Sequence, residues 1–480
     1  MEPAIGVILI LPLLGALLMP WTSKLGRRWA DGLVTAVMLG LFVSCLSMVP
    51  IGKAGAALRA LDLHLAVDGL SLLFLVVINL VALCCAVYAI DYIEHYGGRA
   101  KFYALLLLLV FGLNGIVMVR DLFSMYVFLE VASVAAYVLV AYNLEFDGIE
   151  SSLKYLLLSV VGTGMILIGI ALLFASTGTL AFAGLQAALA TPGALTNPVF
   201  LFAAALMVAG FGLKAAIVPF HAWLPDAHPS APAPISAMLS GVVIKVAGVY
   251  ALIRVFFDLY RAPTPVLRTF LVLGVASMVA GAVIAYFQTD MKRMLAYSSI
   301  SQIGYILIGL GLGNWFGLLG ALFHIFNHAI FKSLLFLNSG AIQFRTGTRD
   351  IREMGGLENR MKVTAVTSTF GTLSIAGIPP FNGFWSKLFI VLGAIAAKNW
   401  PIAFLTVFFS IFTLGYFLLL QRRVFFGKLN ERWQALKEAP AAMSIAVIVL
   451  AAGCLLTGVF FDNVVRALVE PAARVLMGGN

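Results

Sequence analysis

The sequence predicts an all-α integral membrane protein of about fourteen transmembrane helices, and three observations carry that prediction. Hydrophobic residues make up 62% of the 480 and charged residues only 11%, where a soluble domain carries about 25% charged residues. The apolar residues come in runs of the length, about 20 residues, that crosses a hydrocarbon core. Short loops separate the runs, and the basic residues concentrate in those loops. A net charge of +10 could suggest a nucleic-acid partner. The placement of that charge instead follows the positive-inside bias of membrane proteins, so no nucleic acid is expected.

In chain order the expected spans are 3–20, 31–50, 65–90, 102–119, 122–142, 149–175, 199–220, 232–256, 265–287, 290–312, 315–343, 362–398, 400–420 and 439–460. The first, in MEPAIGVILILPLLGALLMPW, opens with an acid and has no basic n-region, so it reads as a retained span and not a cleaved signal. The loops that follow odd-numbered spans hold more than twice the Lys and Arg of the others. Those loops should face the cytoplasm, and an even span count then puts both termini on the outer side of the inner membrane. Cys45, Cys84, Cys85 and Cys454 all lie in apolar runs with no CxxC pair. They are expected to be small buried hydrophobes, with no zinc or iron–sulfur site. The closing stretch DNVVRALVEPAARVLMGGN reads as a short, weakly amphipathic tail.

Four lysines sit inside apolar windows. Lys214 lies in LFAAALMVAGFGLKAAIVPF, Lys245 in ISAMLSGVVIKVAGVYALI, Lys332 in ALFHIFNHAIFKSLLFLNSGAI and Lys387 in AGIPPFNGFWSKLFIVLGAIAA. A mid-bilayer lysine costs at least about 2.5–3.5 kcal/mol, so such residues turn inward and mark ion or proton paths. Glu130, in LFSMYVFLEVASVAAYVLVAY, is an acid at comparable depth. Burial favours a neutral amine and a nearby carboxylate favours the ammonium, so a Glu–Lys pair that opens and closes would load and unload a proton. A tenfold change in proton affinity is about 1.4 kcal/mol, against about 2.3 kcal/mol to move one charge across 100 mV, so modest shifts suffice for pumping. The alternative for any one lysine is a snorkelling side chain or a structural ion pair.

Two windows are interrupted by proline, GFGLKAAIVPFHAWLPDA at Pro219 and SIAGIPPFNGFWSKLF at Pro379 and Pro380, each with a lysine within several residues. Proline frees a backbone carbonyl, which lipid does not tolerate unless neighbours or water satisfy it. Paired broken spans point to internal repeats of the transporter kind, with two unrelated kinks as the alternative.

His324, His328 and Lys332 are spaced i, i+4, i+8 and share one helical face over about 12 Å. Histidine titrates near neutrality and could bridge protons between lysines. A metal-binding pair and structural hydrogen-bonding histidines remain open as alternatives; no carboxylate or cysteine stands nearby to complete a metal site, and no metal is expected. His221 and His228 flank the proline-rich WLPDAHPSAPAP, with Asp226 inside it, which reads first as a rigid connector. Asp68 reads as compensation of a helix dipole, and Asp290, Lys292 and Arg293 as interfacial anchors. Ser298, Ser299, Ser301, Gln302 and Tyr305 make a polar helix turn suited to hydrating a channel.

The segments GLKAAIVPFHAWLPDAHPSAPAPISAMLSGVVIKVAGVYALIR, DMKRMLAYSSISQIGYILIG, FHIFNHAIFKSLLFLNSG and GIPPFNGFWSK resemble the antiporter-like proton-translocating subunits of respiratory complex I, Mrp-type sodium/proton antiporters and energy-conserving membrane-bound hydrogenases. The resemblance covers nearly the whole chain. It implies fourteen helices with two inverted five-helix repeats, 102–256 and 265–420, between helices 1–3 (1–101) and a last helix with its tail (421–480), the seventh and twelfth helices being broken. It implies that Glu130 pairs with Lys214, that Lys245 passes the proton to the His324/His328/Lys332 helix, and that Lys387 is the exit-side group. It also implies that the chain ends without the long lateral helix of the distal complex I subunit.

The stretches FLNSGAIQFRTGTRDIREMGGL and GIPPFNGFWSK look most like hydrogenase-associated modules, and SLKYLLLSVVGTGMILIGIALLFASTGTL is similar to the complex I subunit nearest the quinone module. The expected function is a proton-translocating subunit of a complex I-like or group 4 hydrogenase-like redox-driven pump. An Mrp-type sodium/proton antiporter subunit is the alternative, and a purely structural membrane scaffold the third reading. No redox cofactor motif is present, so no cofactor is expected and electrons would run through partners. The expected partners are other membrane subunits and a peripheral redox arm, with protons or sodium ions as cargo.

Overall fold

The computed structural model describes residues 2–49, 56–60 and 63–478. Met1, Pro50 at the end of the expected second span, and residues 479–480 of the tail lie outside these. The described chain is almost wholly helical: α1 (Glu2–Leu25), α2 (Arg27–Met48), α3 (Gly69–Tyr92), α4 (Arg99–Met118), α5 (Leu122–Val140), α6 (Phe146–Thr177), α7 (Pro198–Lys214), α8 (233–259), α9 (Thr264–Tyr286), α10 (Met291–Gly311), α11 (Trp315–Thr346), α12 (Lys362–Ala376), α13 (Asn382–Ala396), α14 (Trp400–Val424) and α15 (Ala441–Val459). Eleven of the described helices are long and apolar enough to cross a membrane, and α7 and α13 are shorter apolar helices.

Local chemistry sets the helix starts. Asp68, Asp121, Asn197, Asp290 and Asn314 each accept a hydrogen bond from a first-turn backbone N–H at the heads of α3, α5, α7, α10 and α11, satisfying a donor that lacks a partner within the helix. Pro198 opens α7, where its missing N–H costs nothing. Two expected spans are divided. The one placed at 199–220 ends at Lys214 and resumes as the short helix Leu224–Ser230, and the one placed at 362–398 splits into α12 and α13 around 377–381.

α11 lies at the centre of the bundle, packed against α8, α10, α12, α13 and α15. The apolar window of α11 is entirely buried, and that of α10 almost so, although both are less apolar than the spans that face outward. Lipid tails are as apolar as leucine, so it is the polar residues that gain by turning inward toward one another.

Three features were not foreseen. A hairpin of β1 (Ala56–Ala60) and β2 (Leu63–Val67) precedes α3, with Leu58 opposite Leu65. The tail is helical over 461–476 and covers the head of α3, where a Cβ on Gly69 would lie 2.6 Å from the Pro471 carbonyl carbon. The third is a repeated lock. A Thr-Gly-Thr turn ends α6 at Thr177–Thr179 and ends α11 at Thr346–Thr348, and in both the first threonine hydroxyl donates to the carbonyl of the second. After each turn the chain bridges back to the residue that heads the preceding helix, Ala181 to Asp121 and Asp350 to Asp290.

Candidate functional site

α7 stops at Lys214, and residues 215–223 cross the break to Pro219 and beyond without helix. At the break the Leu213 carbonyl accepts from the Ala216 backbone N–H at 3.1 Å and from the indole N–H of Trp223 at 3.0 Å. Lys214, 2% exposed, donates to Ser133 Oγ at 2.8 Å, to Tyr137 Oη at 3.4 Å and to Ser159 Oγ. Glu130 stands three residues, one helical turn, before Ser133 on α5. It is half-buried, its charge acts on Lys214, and its Oε1 has no hydrogen-bond partner among the described residues. The direct ion pair implied by the resemblance is not formed here: hydroxyls hold the ammonium, and Glu130 lines a separate lateral cavity of about 440 Å³ with Tyr126 and Val131.

α8 runs close by. A Cβ on Gly248 would lie 2.4 Å from Ala215, so only glycine lets α8 approach the residue after Lys214. α8 carries three stretches of wide π-helical turns, and Lys245 opens the second; such turns gather at functional positions. Lys245 donates to the Ser240 carbonyl, and Ser240 Oγ meets Ser299 Oγ at 2.8 Å. Lys332, across from it on α11, donates to Ser298 Oγ and to the Leu295 carbonyl at 2.8 Å. The serines of the polar α10 turn therefore lie between the two lysines.

The row continues along α11. The rings of His328 and His324 are 6.1 Å apart, and neither nitrogen of the fully buried His328 has a partner among the described residues. His324 shares hydrogen bonds with Gln302 at 3.2 Å and Ser386 at 2.9 Å. Ser386 is the neighbour of Lys387 on α13, just past the second break. Lys387 donates to the freed Ile375 carbonyl at 2.7 Å and to Ser410 at 3.1 Å, its Nζ 4.8 Å from the centre of the Tyr305 ring. Ser410 in turn donates to the Ala376 carbonyl at 2.9 Å. Both breaks thus place a lysine beside unwound backbone, and the second also opens on a lateral cavity of about 250 Å³.

Two residues read otherwise from sequence, and a third given no role there, belong to the polar interior. Lys292 is not an interfacial anchor: it is 1% exposed and donates to the Ala231 carbonyl at 2.9 Å. It floors a polar vestibule of about 400 Å³ lined by Asn143, Asp147, Asp290, Arg349 and Asp350. His228 is more than part of a connector: fully buried, both nitrogens without a partner among the described residues, it stacks on Phe336 at 4.4 Å. Lys332 Nζ lies 5.9 Å from that same ring. Arg254, near the end of the expected span 232–256 and given no role there, is 1% exposed inside α8. Neighbours on a helix point about 100° apart, which lets Lys292 turn inward while the adjacent Arg293 stays 45% exposed. Asp226 fits the connector reading, pinned by Lys154 at 3.3 Å and Arg293 at 3.1 Å, and His221 is half-buried outside the row. All four cysteines are free and buried.

The family described as "NADH:quinone oxidoreductase/Mrp antiporter, TM" matches residues 119–413, and "NADH-Ubiquinone oxidoreductase (complex I), chain 5 N-terminus" matches 57–103. The chain is 33% identical to NADH-quinone oxidoreductase subunit N of Desulforudis audaxviator over 97% of each chain. It is also 33% identical to a Na(+)/H(+) antiporter subunit of Alkalihalophilus pseudofirmus, over 98% of this chain, and to hydrogenase-4 component B of Escherichia coli, over 82%. The match spans 62% of the length of each of those two relatives. Among solved structures it matches a chain of the Mrp complex from Dietzia sp. with a TM-score of 0.91 at 26% identity, covering 99% of this chain and 98% of that one. A chain of the archaeal membrane-bound sulfane sulfur reductase gives 0.88 at 28%, with 99% and 98% covered, and one of Thermus thermophilus respiratory complex I gives 0.80 at 26%, with 98% and 100% covered.

Proposed function

Because the chain belongs to the NADH:quinone oxidoreductase/Mrp antiporter membrane family, we propose that it is the proton-translocating, antiporter-like subunit of a complex I-like or group 4 hydrogenase-like redox-driven pump. One observation carries the reading: a buried row of amines and imidazoles, Lys214, Lys245, Lys332, His328, His324 and Lys387, with serine hydroxyls beside Lys214, between Lys245 and Lys332, and beside His324 and Lys387. Each amine can hold or release one proton, and the hydroxyls can accept and donate at once, so the row suits proton hopping across the bundle. Glu130 is the charge that biases Lys214. Protons would load on Lys214, pass by Lys245 to Lys332 and the histidines of α11, and leave beside Lys387, with the vestibule over Lys292 and His228 as a further entry. The match to subunit N over nearly the full length of both chains supports a redox-driven assembly, in which other membrane subunits and a peripheral arm carry the electrons.

In this reading the chain makes fourteen spans of the inner membrane with both termini outside, α7 and α12–α13 being its two broken spans. It holds two inverted repeats, 102–256 and 265–420. The repeated Thr-Gly-Thr lock supports them, as does the equal length of α6 and α11, 32 residues each. An Mrp-type sodium/proton antiporter subunit is the second reading, favoured by the TM-score of 0.91 to a chain of the Dietzia complex. Purifying the tagged chain from its native membrane decides between them. A redox-active peripheral subunit in the complex is the expected result. Antiporter partners alone, with sodium-for-proton exchange in vesicles lacking any redox substrate, would overturn it.

A further inference from the structure

At the end of α8 opposite the vestibule, the bundle closes over a buried cluster of charge that the proton row does not use. The Arg254 guanidinium donates to Asp68 at 2.6 Å, Asp258 at 2.7 Å, Ser71 at 2.9 Å and Tyr250 at 2.8 Å. Arg120 joins from the α4–α5 link, 3.2 Å from Asp68 and 3.1 Å from Ser71. Tyr250 donates to the Val117 carbonyl at 2.7 Å, and the Arg120 backbone N–H to the His64 carbonyl of β2 at 3.0 Å. The cluster therefore ties α3, α4, α8 and the hairpin at one level. It is layered as well. Asp68 and Arg120 are partly exposed at the rim, and Arg254 and Tyr250 are 1% exposed beneath them. Lys245 lies nine residues further in, about 14 Å along the helix.

Buried ion pairs are poor stabilisers, since desolvation consumes most of their Coulomb energy and an apolar substitute of similar volume is often neutral or better. The position points to what the cluster does. A fixed guanidinium across a pore repels protons and other cations, the device by which selective channels exclude them. We propose that the Arg254–Asp68–Arg120–Asp258 cluster, with Tyr250 beneath it, is the proton barrier that closes the Lys245 end of the row to the outer face, so that a proton on Lys245 leaves only along α11 toward Lys387. The inference rests on the proton-path reading above and assigns to that path a closed end that no residue of the row supplies.

The test is passive proton permeability of proteoliposomes holding the intact assembly, with a pH-sensitive dye inside and no driving substrate. Arg254→Met is expected to leak at least about tenfold faster than wild type. Adding Lys245→Met should return the leak to the wild-type rate, because the escaping proton passes that amine. The charge swap Asp68→Arg with Arg254→Asp should also restore tightness. Wild-type tightness in a folded Arg254→Met protein overturns the proposal, as does a leak that persists in the double variant with Lys245→Met, which would mean a packing hole. Should Arg254→Met not assemble, Asp68→Asn is read in the same way, and wild-type tightness there overturns it equally. Failure of the proton-path reading shows separately, as absence of driven transport in the wild-type vesicles.

Discussion

Lys214→Met separates the stability of the bundle from its transport. The ammonium is 2% exposed and donates to three hydroxyls, and hydrogen bonds to a charged group contribute about 1.5–3 kcal/mol each. Against that stands the cost of a lysine in the membrane interior, about 2.5–3.5 kcal/mol or more. Methionine fills similar volume, and Ser133 keeps its bond to the Leu129 carbonyl at 2.7 Å. The hydrogen bonds outweigh that relief by about 1 kcal/mol at the low end of their range and about 6 kcal/mol at the high end, so folding free energy should fall by an amount within that span, at least a few degrees in Tm. Transport is different: a proton crossing the gap must enter an apolar site without an amine to hold it. The same insertion cost of about 2.5–3.5 kcal/mol, at about 1.36 kcal/mol per decade, gives a loss of about two orders of magnitude. The assay is substrate-driven acidification of proteoliposomes normalised to folded protein. Lys214→Arg is the control, because it keeps the charge but does not release its proton; it should be as inactive as Lys214→Met. Transport within about threefold of wild type for folded Lys214→Met would refute the argument that the proton rests on this amine.

Other consequences are open to measurement. Ser386→Ala breaks the link between His324 and the Lys387 helix while leaving both titrating groups, so driven transport should fall by less than about tenfold, with water taking the place of the hydroxyl; complete loss would show that the serine is itself obligatory. Gly248→Val forces a side chain into the Ala215 backbone, an overpacking that costs about 1–3 kcal/mol, and should lower Tm measurably; an unchanged Tm would contradict the close approach of α7 and α8. Asp68 gives a pH signature. Burial favours its protonated form, but the Arg254 and Arg120 guanidiniums hold its carboxyl well below the usual range. A depressed folded value adds stability that is complete above the unfolded value near 4 and is lost as pH falls below it. The Tm difference between wild type and Asp68→Asn should therefore hold steady from about pH 7 to pH 5 and shrink below about pH 4; a difference that instead grew on acidification would reverse the sign.

The membrane class, the approximate positions of most helices and the lysines and histidines buried among them were legible in the chain. The bilayer is a strict solvent: it demands apolar runs of one length, tolerates proline only where backbone can be satisfied, and makes each buried lysine conspicuous. The polar turn of α10 was also visible, because five polar side chains in eight residues have no place against lipid. The sequence did not show that Ser133, Tyr137 and Ser159, rather than Glu130, hold the Lys214 ammonium, since those residues come from two other helices. Nor did it show that His228 and Lys292 line the way from the vestibule, or that Arg254 gathers partners from α3 and the α4–α5 link. Those assignments depend on which helix faces meet, and a run of uniformly apolar residues carries no periodicity from which to read its facing. Composition and spacing determined that protonatable groups lie inside the membrane. Only the packing of α8, α10, α11 and α13 decided their order, because hydrogen bonds act over about 3 Å and the packing brings together at that distance groups far apart in the chain, such as His324 and Ser386, 62 residues apart.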